Sequence, residues 1–164
     1  MERERSYSKE QNFSDGVIES LSLYRKFLEY AINHNTLILH CSALSMDNKA
    51  YLFTAPSGTG KSTHTRLWRE VFGKRSSMVN DDKPFLQITE NGVILHGSPW
   101  SGKHGLDSNI SVPLKGICLL ERGAENIIRQ AEPAELKELL KGFRPRSEVQ
   151  AAAYKALLEQ LLQQ

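Results

Sequence analysis

From Ser14 onward the chain sets apolar residues at three- and four-residue steps: Ile18, Leu21, Tyr24, Leu28, Ala31 and Ile32. That spacing predicts an amphipathic helix with one buried stripe, ended by the polar run Asn33 to Asn35. The pattern then changes. "TLILHCSAL" (36–44) is an unbroken, β-favouring apolar run, "MDNK" (46–49) has turn composition, and "AYLFTA" (50–55) is apolar again. Two adjacent strands joined tightly are expected there.

Helical spacing returns in "KSTHTRLWREVF" (61–72), through Thr65, Leu67, Trp68 and Phe72, with Gly73 suited to the C-terminal cap. "SSMVNDD" (76–82) reads as a strand ending in two aspartates. "KPFLQITE" and "GVILHGS", separated by Asn91-Gly92, predict a hairpin, and "LKGICLLER" (114–122) a buried strand. Pro133 opens a helical stretch, "AELKELLKGF". Ser147 and Gln150 have the spacing of a capping box ahead of "AAAYKALLEQLLQQ". The expected organisation is a flexible tail over 1–13 and one α/β or α+β domain over 14–164, with a mixed sheet and flanking helices.

Composition narrows the function classes. A chain of 164 residues, 40% hydrophobic and 24% charged, is one ordinary globular domain. A net charge of +2, with basic and acidic residues interspersed, gives no footprint for nucleic acid. "MERERSYSKEQNFSDG" has no apolar core for a signal peptide, and no stretch approaches the roughly 20 apolar residues a membrane span needs. Cys41 and Cys118 each lie in an apolar run, which predicts buried, reduced thiols and a cytoplasmic protein. The histidines His34, His40, His64, His96 and His104 lack zinc-ligand spacing.

The chemistry concentrates in "APSGTGKS" (55–62), between a predicted strand and a predicted helix. Gly58 and Gly60 permit backbone angles that aim successive N–H groups into one concavity, and the helix N-terminus adds its dipole. Pro56, Ser57, Gly58, Thr59, Gly60, Lys61, Ser62 and Thr63 are the candidate nucleotide-binding residues. Lys61 would reach the terminal phosphates and the Ser62 hydroxyl a Mg²⁺ ion. Ala55 occupies the position where the usual pattern has its first glycine, which a small residue tolerates if its φ stays negative. Asp81 and Asp82 follow about 20 residues after Lys61 and, on a strand, point to opposite faces. One would face a metal and the other an acceptor whose proton must be removed. "HGSPWSGKHG" (96–105) either folds over the nucleotide or acceptor with Lys103, or connects strands with Trp100 packed on the core.

His40, "PSGTGKST" and "VNDD" in that order resemble the catalytic domain of HPr kinase/phosphorylase and its relatives. That family shares its phosphate-loop fold with ATP-dependent phosphoenolpyruvate carboxykinase. The similarity runs from about Leu37 to Arg122. It is strongest to a compact HPr-kinase-like subgroup with "H-x-S-A", "N-D-D" and a later "P-W-S-G" loop, some members of which phosphorylate a peptide serine in lasso-peptide pathways. The resemblance implies ATP and Mg²⁺ as cofactors, with Lys61 on the phosphates and Ser62 and Asp82 toward the metal. It further implies that Asp81 accepts the proton of the substrate hydroxyl and that His40 lies in the active site. A serine of a peptide or small protein would be the acceptor, in a cytoplasmic enzyme, with a homo-oligomer expected only weakly. HPr kinases also carry a metal-binding glutamate after the paired aspartates, where this chain reads "HGSPWSG" without a matching acid, and a later catalytic arginine for which Arg122 is a candidate. A non-catalytic ATP-binding regulatory module and a small-molecule kinase are the alternatives the same residues allow.

Overall fold

The computed structural model of the protein describes residues 14–132, 135 and 148–163. The predicted tail, the helix opening at Pro133 and the Ser147–Gln150 capping box lie outside the described residues. Three α-helices and a short 3-10 helix (Gly73–Arg75) are described, the former being α1 (Asp15–Ile32), α2 (Lys61–Phe72) and α3 (Glu148–Leu162). Seven strands join in one mixed sheet among these residues: β1 (Thr36–Ile38), β2 (Ser42–Met46), β3 (Lys49–Thr54), β4 (Ser76–Asn80), β5 (Phe85–Thr89), β6 (Gly92–His96) and β7 (Ser111–Leu119). Their order is β1-β5-β6-β7-β3-β2-β4, with β3 and β7 parallel and the remaining pairs antiparallel.

Helices cover both faces of the β2–β3–β4 region, which explains its unbroken apolar runs. On one face Ala43, Leu52 and Val79 join Tyr154, Leu157, Leu158 and Leu161 of α3. On the other, Leu44, Phe53 and Met78 pack with Trp68 of α2. The β2–β3 hairpin turns at Asp47-Asn48, both with positive φ, as a two-residue primed turn requires.

Several boundaries differ from the sequence reading. The run 36–44 is not one strand: β1 pairs with β5, the chain breaks at Leu39–Cys41, and β2 pairs with β4 and β3. The β4–β5 segment breaks opposite it, and the Cys41 N–H donates to the Asp82 carbonyl at 3.0 Å across the gap. His40 therefore stands in a crossover, not on a strand. β4 likewise ends at Asn80, so Asp81 and Asp82 occupy a turn, and it is the turn rather than strand alternation that separates their side chains. β7 begins at Ser111 instead of Leu114.

Candidate active site

The phosphate loop sits where the sequence puts it, between β3 and α2. Gly58 (φ 78°) and Gly60 (φ 121°) hold left-handed backbone angles. Ala55 keeps a negative φ, so the missing glycine costs the turn nothing sterically. Gly60 is the N-cap of α2, leaving the first-turn amides of the helix unpartnered by any capping side chain. Pro56, Ser57 and Gly58 are exposed, as are Ser62 and Thr63, while Lys61 is buried to 9% exposure. Its ammonium donates back to the Ala55 carbonyl at 3.0 Å and the Pro56 carbonyl at 3.4 Å.

β7 runs parallel to β3, so its C-terminal end emerges beside the loop that follows β3. The Leu120 N–H donates to the Thr54 carbonyl at 2.9 Å, and two residues later Arg122 donates to the Gly58 carbonyl at 2.6 Å. This contact depends on strand order. The sequence offers Arg122 as a candidate but gives no signal that it meets the loop.

The aspartate turn is built on Asn80, which is fully buried. Its side-chain oxygen accepts from the Asp82 and Lys83 N–H groups at 2.8 and 2.7 Å. Its amide donates to the Ser98 carbonyl at 2.9 Å and to Ser98 Oγ at 3.2 Å, and that hydroxyl donates to the Lys83 carbonyl at 2.6 Å. The 97–108 loop braces the turn from outside: Asp81 N–H donates to the Leu106 carbonyl at 3.0 Å and Ser108 N–H to the Val79 carbonyl at 3.1 Å. Gly97 is needed here, because a Cβ would meet the Ser108 carbonyl oxygen at 1.8 Å.

The two carboxylates then part. Asp81, 8% exposed, turns inward and accepts a hydrogen bond from Ser42 Oγ at 2.5 Å. Ser42 Oγ also lies 2.8 Å from Thr65 Oγ1, on the inner face of α2 one turn beyond Lys61. Asp82 turns toward the surface, with His40 Nε2 3.3 Å from Oδ1 and the Lys83 ammonium paired with Oδ2. Partial burial and the nearby Lys61 ammonium pull the His40 pKa below the usual histidine range, and Asp82 offsets only part of that. These influences favour the neutral imidazole. Burial and the Asp82 charge push the Tyr24 phenol up to about 12, and Lys83 sits over its ring at 5.7 Å.

Of the sequence-predicted residues, the structure brings together the loop, Lys61, Asp81, Asp82 and His40. Trp100 takes the connecting role: its ring packs against Tyr24 at 5.2 Å, Phe27 at 5.7 Å and Phe85 at 6.0 Å. Lys103 is exposed. Cys41 is buried and Cys118 half-buried, both free thiols with pKa raised by burial. Sequence reasoning missed Ser42 and Asn80 as structural partners of the aspartates and read Thr65 only as part of a helical stripe. Their signal is faint, a polar residue at a buried position in an otherwise apolar stretch.

No protein-family model matches the chain, and no curated protein matches it. Among solved structures it is similar to the HPr(Ser) kinase/phosphatase from Coxiella burnetii, at 16% identity over 60% of this chain and 67% of that one, with a TM-score of 0.43. A likeness of that size establishes neither fold family nor activity, so the site must be read from its own residues. No helix among the described residues is long and apolar enough to cross a membrane.

Proposed function

We propose that the protein is an ATP-dependent phosphotransferase of HPr-kinase type, moving a γ-phosphate to a hydroxyl, most concretely a serine of a peptide or small protein. One observation carries this reading. A buried carboxylate, Asp81, is tied through Ser42 and Thr65 to the same helix whose N-terminus forms the phosphate loop. A nucleotide loop alone serves many functions, but a fixed carboxylate beside it supplies the general base that transfer to an alcohol needs.

The roles follow from placement. Loop amides from Ser57 to Ser62 and the helix dipole bind the polyphosphate. Lys61 and Arg122, both resting on loop carbonyls, exchange those acceptors for phosphate oxygens. Asp81 takes the acceptor hydroxyl's proton as its oxygen bonds to phosphorus and the bond to the β-phosphate oxygen breaks. His40 and Lys83 hold the outward carboxylate of Asp82 between them. Ser62 and Asp82 would hold Mg²⁺ through oxygen, the donor type it prefers, alongside water and phosphate, with Asp82 giving up its pairing to Lys83. When bound, the ion neutralises charge on the phosphates.

The test is incubation with γ-labelled Mg-ATP and serine-containing peptides. Label is expected in peptide with the wild type and not with Asp81→Asn, while both bind nucleotide. A regulatory module that binds nucleotide without chemistry would show binding, no transferred label, and indifference to Asp81→Asn.

A further inference from the structure

We infer that Ser42 and Thr65 are positioning residues that fix the Asp81 carboxylate through a two-hydroxyl relay anchored in the phosphate-loop helix. The inference rests on the phosphotransferase reading and deepens it. Ser42 is 0% exposed and Thr65 1%, so neither hydroxyl is open to bulk solvent. Each hydroxyl has one proton to give. Asp81 Oδ1, as a carboxylate, only accepts, so the Ser42 proton goes to it at 2.5 Å. Ser42 Oγ must then accept at its contact with Thr65, and Thr65 Oγ1 at 2.8 Å is the donor. The longer approaches of Thr65 Oγ1 to the Lys61 and Ser62 carbonyls, at 3.4 and 3.2 Å, are what its proton forgoes.

The direction of the relay is thereby set, from α2 through β2 to the turn after β4. It ties α2 by side chains to β2 and the turn after β4, which the backbone already joins through the Ala43–Asn80 pairing and the Cys41 N–H to Asp82 carbonyl bond. Thr65 is four residues beyond Lys61, so any shift of the first turn of α2 on filling the loop moves the donor that holds Ser42. A charge-assisted bond of this kind is roughly twice as strong as a neutral one, and its loss frees the carboxylate to rotate. Misplacement of a reacting group by about 1 Å can cost ~100-fold in rate.

The experiment measures γ-phosphate release from Mg-ATP, with water as the acceptor, together with calorimetric Mg-ATP affinity and the carboxyl-carbon NMR resonance of Asp81, assigned by its loss in Asp81→Asn. Ser42→Ala is expected to lower turnover about 10- to 100-fold and Thr65→Val about 10-fold, with affinity held within about threefold. Thr65→Ser, which keeps the hydroxyl, is expected to retain near wild-type turnover. The Asp81 resonance is expected to move in Ser42→Ala and Thr65→Val and to stay in Thr65→Ser. In an Asp81→Asn background, Ser42→Ala is expected to cost less than about twofold further. Should Ser42→Ala fail to fold by circular dichroism, the nearly isosteric Thr65→Val decides alone. Wild-type turnover in either hydroxyl-deleted variant, or an unmoved resonance, overturns the relay while leaving the phosphotransferase reading intact. A wild type that binds Mg-ATP but transfers phosphate neither to water nor to serine-containing peptides overturns both.

Discussion

Asn80→Ala removes the residue on which the aspartate turn is built, and its cost can be worked from the bonds it makes. Two backbone N–H groups, those of Asp82 and Lys83, lose their acceptor, and the Ser98 carbonyl loses a donor. Asn80 is fully buried, but Asp82 and Lys83 are only partly so, and water can reach some of what is orphaned. At about 1–3 kcal/mol for each group left unsatisfied in the interior, and less where water substitutes, a total of about 3 kcal/mol is expected. For a domain of this size that lowers Tm by roughly 6–12 °C. Urea and thermal melts of the two proteins measure it. The same variant should lose phosphotransfer, because Asp81 follows Asn80 directly, yet keep affinity for metal-free ATP within about threefold, because the phosphate-binding amides belong to a different segment of the chain. A destabilisation below about 1 kcal/mol would refute the assignment of Asn80 as the organiser of the turn.

Further expectations concern the loop, the brace, the core and pH. Lys61→Ala should weaken Mg-ATP binding about 10-fold or more by calorimetry, since it deletes a charge-assisted partner of the phosphates. Gly97→Ala should destabilise the fold and depress phosphotransfer together, because its Cβ cannot coexist with the Ser108 carbonyl; a melt unchanged from wild type would contradict that packing. Leu52→Ala, at a fully buried position of the strand leading into the loop, should cost about 2–5 kcal/mol in urea unfolding. The Tyr24 phenol, raised to about 12 in the fold, favours folding fully below the unfolded tyrosine value near 10 and loses that contribution as pH rises from there toward 12. Melts at pH 9 to 12 should therefore fall more steeply for the wild type than for Tyr24→Phe.

How much of this was legible in the sequence depended on whether the signal was local. The limits of α2, Lys61 to Phe72, follow from the glycines that bracket it, and the β2–β3 turn from Asp47-Asn48. The β5–β6 hairpin was also foreseen, displaced by one residue because Glu90-Asn91 make the turn and Gly92 already belongs to β6. By contrast, the break at Leu39–Cys41 is hidden, because an apolar run buried on both faces looks the same whether it serves one pairing or two. The local chemistry of the site was likewise readable: the loop, Lys61 and the paired aspartates. What holds Asp81 was not, since Ser42 and Thr65 are 39 and 16 positions away and meet it only once β2, β4 and α2 are stacked. Arg122 at Gly58 needed the parallel β3–β7 pairing, which no stretch of sequence announces. Trp100 resolved toward packing because α1 offers it Tyr24 and Phe27, a partnership between distant segments.

The central claim, that the backbone of the Gly58–Gly60 loop grips a polyphosphate, is tested most directly by titrating the intact protein with ATP in a calorimeter, with and without Mg²⁺. The account expects saturable one-site binding that strengthens with Mg²⁺ and weakens in Lys61→Ala. No heat of binding from folded wild type, or binding that Lys61→Ala leaves untouched, would contradict it.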